Sequence, residues 1–190
     1  MAQRFSGYER REREHYPTPP WVTQALIQHF DNGPSTIWEP ACGEGMMGAA
    51  LADAGHKVFM SDVQPLIDDA FTYDFICGDE CIAGDIGFDA IVTNPPYGIQ
   101  GRLAVAFVER ALKLTQPRFG RVAMLLKPDF DSASGRTHLF RDCRAWSKKI
   151  VLLRRIVWFE STSGNGPSEN HCWYIWDHKQ NGRPTIVYAP

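Results

Sequence analysis

Apolar positions along the chain switch between a helical and an alternating spacing, and each switch marks an element. Trp21, Val22, Ala25, Leu26, Ile27 and Phe30 form a helical stripe with Pro20 near its first turn, and Asn32-Gly33-Pro34 stops it. Thr36-Ile37-Trp38 reads as a short strand, followed by a glycine-bearing turn and a helix over Met46 to Ala54 that Gly55 closes. A strand over His56 to Ser61 ends at Asp62. After it the pattern predicts a short helix over Pro65 to Phe71, a strand over Tyr73 to Cys77 ending at Gly78-Asp79, and an irregular stretch through Gly84 to Gly87. Ala90, Ile91 and Val92 are an unbroken apolar run rich in β-branching, as in a strand covered on both faces. Asn94-Pro95-Pro96 ends it, because proline lacks a ladder donor and holds the preceding residue extended.

The second half repeats the alternation. Leu103, Phe107, Ala111 and Leu114 share one face of a helix over about residues 103 to 114, halted by Pro117, and Arg121 to Leu126 is a fifth strand. A helix over Gly135 to Trp146, a long strand in Lys149 to Phe159 and a strand in Cys172 to Trp176 follow, with Thr185 to Tyr188 as an edge strand. Strands alternating with helices predict an α/β fold, mainly parallel, with helices on both faces and right-handed crossovers. The strands at Lys149 and Cys172 are joined only by the glycine-rich loop Glu160 to His171, which predicts an antiparallel hairpin. Trp146, Trp158, Trp173 and Trp176 are expected in the core or on the sheet surface.

Composition narrows this picture. A chain of 190 residues, 44% hydrophobic and 22% charged, suits one globular domain over residues 16–190. Residues 1–15 interleave Arg4, Arg10, Arg11 and Arg13 with Glu9, Glu12 and Glu14, as in a flexible arm. No apolar run approaches a bilayer span, and the amino terminus is charged where a signal peptide has its apolar core. A cytoplasmic location is therefore expected. Cys42, Cys77, Cys81, Cys143 and Cys172 are odd in number with no C-x-x-C pair, so free thiols are expected and no metal site. Cys77 and Cys81 beside Asp79 lack a distal partner pair. A net charge of -2 leaves nucleic acid open as a partner, since binding depends on a local basic face.

The strand ends carry the candidate chemistry. In succession they present Glu39 with the turn Pro40, Ala41, Cys42, Gly43, Glu44 and Gly45, then Asp62, Asp79 and Asn94. A glycine turn lets backbone N–H groups approach a ligand, and a carboxylate ending the second strand can accept from ribose hydroxyls, which together describe a nucleoside site. The turn is read as a two-glycine G-x-G, and Glu44 between the glycines repels a pyrophosphate. A ligand carrying an amino acid and a sulfonium tolerates these acidic neighbours. Asn94, a rigidly held amide followed by an aromatic ring, suits the gripping of a flat polar substrate, although N-P and P-P are also ordinary loop punctuation. Asp62 and Asp79 have a second reading as helix or turn caps.

On these motifs the chain resembles the S-adenosylmethionine-dependent DNA adenine-N6 methyltransferases, amino methyltransferases with a D/N/S-P-P-Y/F/W signature. Asn94, Pro95, Pro96 and Tyr97 match that signature, Glu39 through Gly45 match the cofactor motif, and Tyr16, Thr18 and Pro19 resemble the upstream Y-x-T-P element. The resemblance covers roughly residues 16 to 160. It implies a class I, Rossmann-like fold with a mainly parallel seven-stranded sheet and a C-terminal antiparallel hairpin. It also implies S-adenosyl-L-methionine as cofactor, with Tyr16, Thr18 and Pro19 at its methionine end, Asp62 at the ribose and Asp79 at the adenine, and with Val63 and Asn94 also binding it. The implied reaction is in-line methyl transfer to N6 of an adenine flipped out of DNA. Asn94 and the Pro95 carbonyl would accept the amine's N–H bonds while Tyr97 stacks on the base.

N-P-P-Y is shared with enzymes that methylate RNA adenine or protein glutamine, so these acceptors stay open, as does a non-catalytic cofactor- or DNA-binding module. Only 14 residues follow Trp176, which suggests a small phage-like member without a separate recognition domain. Recognition then falls to the loops Gly98 to Arg102, Asp129 to Arg136 and Glu160 to His171. Arg102, Lys127, Arg136, His138, Arg154, Arg155 and His171 are candidates for phosphate contact.

Overall fold

Ala90–Thr93 forms a strand buried at every position, with the rest of the sheet laid out around it. The computed structural model describes residues 16–30, 35–158 and 168–190, with the backbone alone at 81–83; the expected arm over residues 1–15 lies outside them. In chain order the strands are β1 (Thr36–Glu39), β2 (Lys57–Asp62), β3 (Phe71–Thr72), β4 (Ala90–Thr93), β5 (Arg121–Leu126), β6 (Trp146–Leu152), β7 (Ile156–Val157), β8 (Ser168–Glu169), β9 (Cys172–Asp177) and β10 (Thr185–Ala189). Eight of them make one sheet in the order β10-β6-β9-β5-β4-β1-β2-β3, and β7 and β8 pair as a separate antiparallel ribbon. Within the sheet β9 runs antiparallel to both β5 and β6, and the other pairs are parallel.

Side-chain alternation explains why β4 reads as a continuous apolar run. Ala90 and Val92 face α1 (Pro20–Ile27) and α2 (Met46–Asp53), packing with Val22, Leu26, Met47 and Leu51. Ile91 faces α4 (Arg102–Thr115), packing with Ala104, Phe107, Val108 and Ala111. Each fully buried Val, Leu, Ile or Met side chain among these contributes about 1.5 to 3 kcal/mol. The sheet is therefore a middle layer that both helical layers need. Trp173 and Trp176 are fully buried in β9, on opposite faces, as expected of core residues.

Several expectations need correction. The sheet has eight strands rather than seven, because Thr185–Ala189 pairs with β6 along its whole length. No helix forms over Pro65 to Phe71: the chain bends there, and Phe71 begins β3 by pairing with Ser61. The strand expected at Tyr73 to Cys77 is displaced, since β3 is only Phe71–Thr72 and Asp74 Oδ1 accepts from the N–H groups of Ile76 and Cys77, closing a turn. The irregular stretch before Gly87 is helix α3 (Glu80–Ile86).

The helix expected over Gly135 to Trp146 is short 3-10 turns at Phe130–Ser132 and Ser134–Leu139, and Trp146 instead opens β6. Aromatic packing overrides helical spacing here: the rings of Phe140, Trp146, Tyr174 and Trp176 cluster, and Trp176 Nε1 donates to the Leu139 carbonyl at 2.6 Å. The long strand in Lys149 to Phe159 is split into β6 and β7 by a bend, and Phe159 lies outside the described residues. The expected antiparallel pairing with Cys172 to Trp176 is present as β6 against β9.

Candidate active site

The sheet order reverses between β1 and β4, and a crevice opens there at the carboxyl ends of the parallel strands. Its volume is about 1340 Å³. Of the residues expected in the site, Tyr16, Thr18, Glu39, Pro40, Ala41, Cys42, Gly43, Asp62, Val63, Asn94, Pro95, Pro96 and Tyr97 line this one cleft. Pro19 and Gly45 support it from behind. The Pro19 carbonyl accepts from Val22 N–H at the start of α1, and Gly45 takes a left-handed φ of 72° as the turn enters α2.

Asp62 holds the glycine turn in place. Its Oδ2 accepts from Gly43 N–H at 3.0 Å and its Oδ1 from Gln64 N–H at 3.0 Å, leaving one lone-pair site on each oxygen for a ligand. Gly48 sits three residues beyond Gly45 and completes a G-x-G-x-x-G spacing that the two-glycine reading omits. A side chain there would come within 2.9 Å of Glu39 Oε2, so this third glycine lets α2 press against the end of β1.

Glu39 is 2% exposed, and its Oε2 has no hydrogen-bond partner among the described residues. Burial pushes its carboxyl well above the usual carboxylate range; a backbone bond from Gly48 opposes this, and the Asp62 charge reinforces it. The same burial, with the charges of Glu39 and Asp62, pushes the Cys42 thiol up to about 12, which suits a filler residue and not a nucleophile.

Asp79 is not brought into the cleft. It is exposed, and its backbone carbonyl accepts from the Tyr73 hydroxyl at 2.8 Å. Because β3 ends early, Asp74, Phe75 and Ile76 occupy the wall where Asp79 was expected. An acidic residue followed by an aromatic, one residue beyond a short strand, is the available signal.

The other side of the cleft is organised by Asn94. Its Nδ2 donates to Thr18 Oγ1 at 3.2 Å and to the Tyr16 carbonyl at 3.4 Å; because the carbonyl only accepts, the amide nitrogen must point that way. The amide oxygen is then the atom left facing away from Tyr16 and Thr18. The Tyr97 hydroxyl donates to the Leu125 carbonyl at 3.2 Å, fixing the ring against the end of β5, and the Tyr97 carbonyl accepts from Leu103 and Ala104 N–H at the start of α4.

A chain of rings closes this side, with Tyr16 5.5 Å from Trp158, Trp158 5.0 Å from His171, and His171 6.4 Å from Tyr97. Burial lowers the His171 pKa to about 4, opposed by its hydrogen bond to the Glu169 carbonyl and aided by Lys127, so the imidazole is neutral at physiological pH. It therefore brings no positive charge to a phosphate.

The other basic candidates divide. Lys127 and Arg136 line the cleft. His138 pairs with Glu109 at 2.8 Å, Arg154 lies 5.0 Å over the Trp21 ring, and Arg102 and Arg155 are exposed outside the lining. Gly98 to Gly101 and Asp129 to Arg136 contribute to the cleft as the loop expectation requires, whereas residues 160–167 of the third loop lie outside the described residues. Among the described residues no helix is long and apolar enough to cross a membrane.

No protein-family model and no curated protein sequence matches the chain. Solved structures do. A type I restriction-modification methyltransferase subunit from Streptococcus thermophilus superposes with a TM-score of 0.68 at 14% identity, covering 91% of this chain and 47% of that one. A putative RNA methyltransferase from Pyrococcus horikoshii gives 0.66 at 15% identity, covering 87% of each chain. A putative class I S-adenosylmethionine-dependent methyltransferase from Listeria monocytogenes gives 0.59 at 12% identity, covering 91% of this chain and 65% of that one. The chain thus spans less than two thirds of the length of two of these three structures, and its sheet, helices and switch-point cleft have the class I methyltransferase fold.

Proposed function

We propose that the protein is an S-adenosyl-L-methionine-dependent methyltransferase whose acceptor is the exocyclic N6 amine of adenine in DNA. The observation that carries this reading is the tie between two separate motifs: Asn94 of N-P-P-Y is held by Tyr16 and Thr18 of the Y-x-T-P element across the open cleft. The cofactor fits the residues present. Glu39 with its unpartnered Oε2, Asp62 and Asp74 make an acidic wall suited to a ligand carrying an ammonium and a sulfonium, and Phe75 supplies an apolar surface for an adenine. Methyltransferases acting on nucleic acid among the structural neighbours are compatible with this reading.

When bound, the cofactor supplies an electrophilic methyl group. The chain's own residues prepare the amine. The Asn94 Oδ1 and the Pro95 carbonyl accept its two N–H bonds, which moves the nitrogen towards tetrahedral geometry and frees its lone pair. With the sulfonium's S–C bond giving way to the new N–C bond, the methylated amine would lose its proton to solvent, so the chain need supply no strong base. Tyr97 offers a stacking surface worth roughly 1 to 3 kcal/mol, which offsets part of the cost of extruding a base from a duplex. Transfer of a radiolabelled methyl group to DNA, RNA and protein acceptors tests the proposal. N6-methyladenine in digested DNA is expected, and label confined to RNA or protein refutes the DNA acceptor.

A further inference from the structure

We propose that Lys127 is a specificity-determining residue of the acceptor pocket, its ammonium donating a hydrogen bond to a ring nitrogen of the adenine held by Asn94 and Tyr97. This rests on the acceptor reading above. Lys127 is the first residue beyond β5, the strand that neighbours β4 and so sits beside Asn94 at the carboxyl edge. Its backbone is pinned, with its carbonyl accepting from the Tyr174 hydroxyl and from Phe130 N–H, both at 3.0 Å. The side chain is pinned as well: Nζ lies 3.2 Å from Glu169 Oε1 and 5.9 Å over the centre of the Tyr97 ring. The base proposed to stack on Tyr97 thus enters a region where an ammonium is already held.

Exposure distinguishes the two partners of this pair. Both side chains line the cleft, but that of Glu169 is 18% exposed and that of Lys127 is 40%, so the ammonium is the more open of the two. An ammonium has three donors, and Glu169 takes one. The other cation in the cleft lining among the described residues is held against the neighbouring loops: Arg136 donates to the carbonyls of Phe130 and Gln100 and lies 4.0 Å over the Phe130 ring. His171 is neutral. Lys127 is therefore the cationic donor best placed at the acceptor end.

The chemistry is complementary. Asn94 and the Pro95 carbonyl offer only acceptors to the amine, whereas adenine's ring nitrogens are acceptors that lose water on entering the pocket and need a donor there. A Lys127 donor would satisfy one of them and set the orientation of the base.

The test uses DNA duplexes in which one ring nitrogen at a time of the target adenine is replaced by C–H, methylated by wild type, K127M and K127Q. For wild type, one replacement is expected to lower kcat/KM by about tenfold to a hundredfold, the scale of a lost charge-assisted hydrogen bond. Both variants should methylate natural adenine more slowly by a similar factor and be indifferent to that replacement. If the variants keep the wild-type sensitivity, or no replacement affects wild type, the proposal is overturned while the acceptor reading stands. A uniform loss across all duplexes with a reduced salt dependence assigns Lys127 to a phosphate and also overturns it. Absence of any adenine methylation by wild type overturns the acceptor reading and this proposal together. Cofactor binding by both variants, measured by calorimetry, establishes that they are folded.

Discussion

The two sides of the cleft are built differently. The side proposed to hold the cofactor is made of consecutive strand ends and turns: Glu39, the turn through Gly45, Asp62 and Asp74 come from a stretch of fewer than 40 residues, held by bonds such as Gly43 N–H to Asp62. The acceptor side is assembled from the whole length of the chain, with Tyr16 and Thr18 bonded to Asn94 and Trp158, Glu169 and His171 closing from near the other end. The first is a local acidic cradle and the second a long-range aromatic and amide clamp. A fold can keep the first and vary the second, which explains why one cofactor site serves many acceptors.

If the sides are separate devices, substitutions should separate them. The largest effect is expected for Asn94→Ala, which removes a preorganised acceptor. It should lower kcat by about 10²-fold to 10³-fold while calorimetry shows cofactor affinity unchanged; equal turnover would dissolve the distinction.

Glu39→Gln should do the reverse and weaken cofactor binding by about tenfold to a hundredfold through loss of a carboxylate that a bound ammonium would hold ionised. It should also reveal a cost of burial. The Glu39 carboxyl is raised in the folded protein, so its stabilising contribution is present below the ordinary carboxylate range and is lost as pH rises through the raised value. Thermal melts should then find Glu39→Gln more stable than wild type at high pH, the two converging in acid.

The smallest effect is at the ring wall. The His171 pKa is lowered to about 4, so its contribution is complete above the unfolded value of about 6.5 and is lost as pH falls towards 4. His171→Gln should flatten the acid limb of the stability profile over that window, as read by denaturant titration at each pH. An unchanged slope would place the imidazole in water.

The same contrast decides how much was legible in the sequence. The run into Asn94, the span of α4, the identical bounds of β5 and the turn after β1 were all readable because their signals are local: periodicity, proline and glycine. Local errors remained where short elements compete. Reading Tyr73 to Cys77 as a strand carried the expected carboxylate to Asp79, past Asp74 and Phe75, because a two-residue strand leaves almost no periodic trace. Gly48 was missed as the glycine on which α2 closes against Glu39. The acceptor wall was beyond local reading altogether: nothing near Trp158 or Glu169 announces a neighbour such as Tyr16 or Lys127, which only the closing of β9 between β5 and β6 brings near. The same aromatic packing drew Trp146 into a strand from a segment with helical spacing.

The most direct test of this two-sided cleft is a crystal structure with S-adenosylhomocysteine bound. The adenine is expected beside Asp74 and Phe75, the ribose at Asp62, the amino acid end towards Glu39 and the sulfur facing the Asn94 amide oxygen. Density for the ligand in any arrangement that turns its sulfur away from Asn94, or that leaves the acidic wall empty, would contradict this placement.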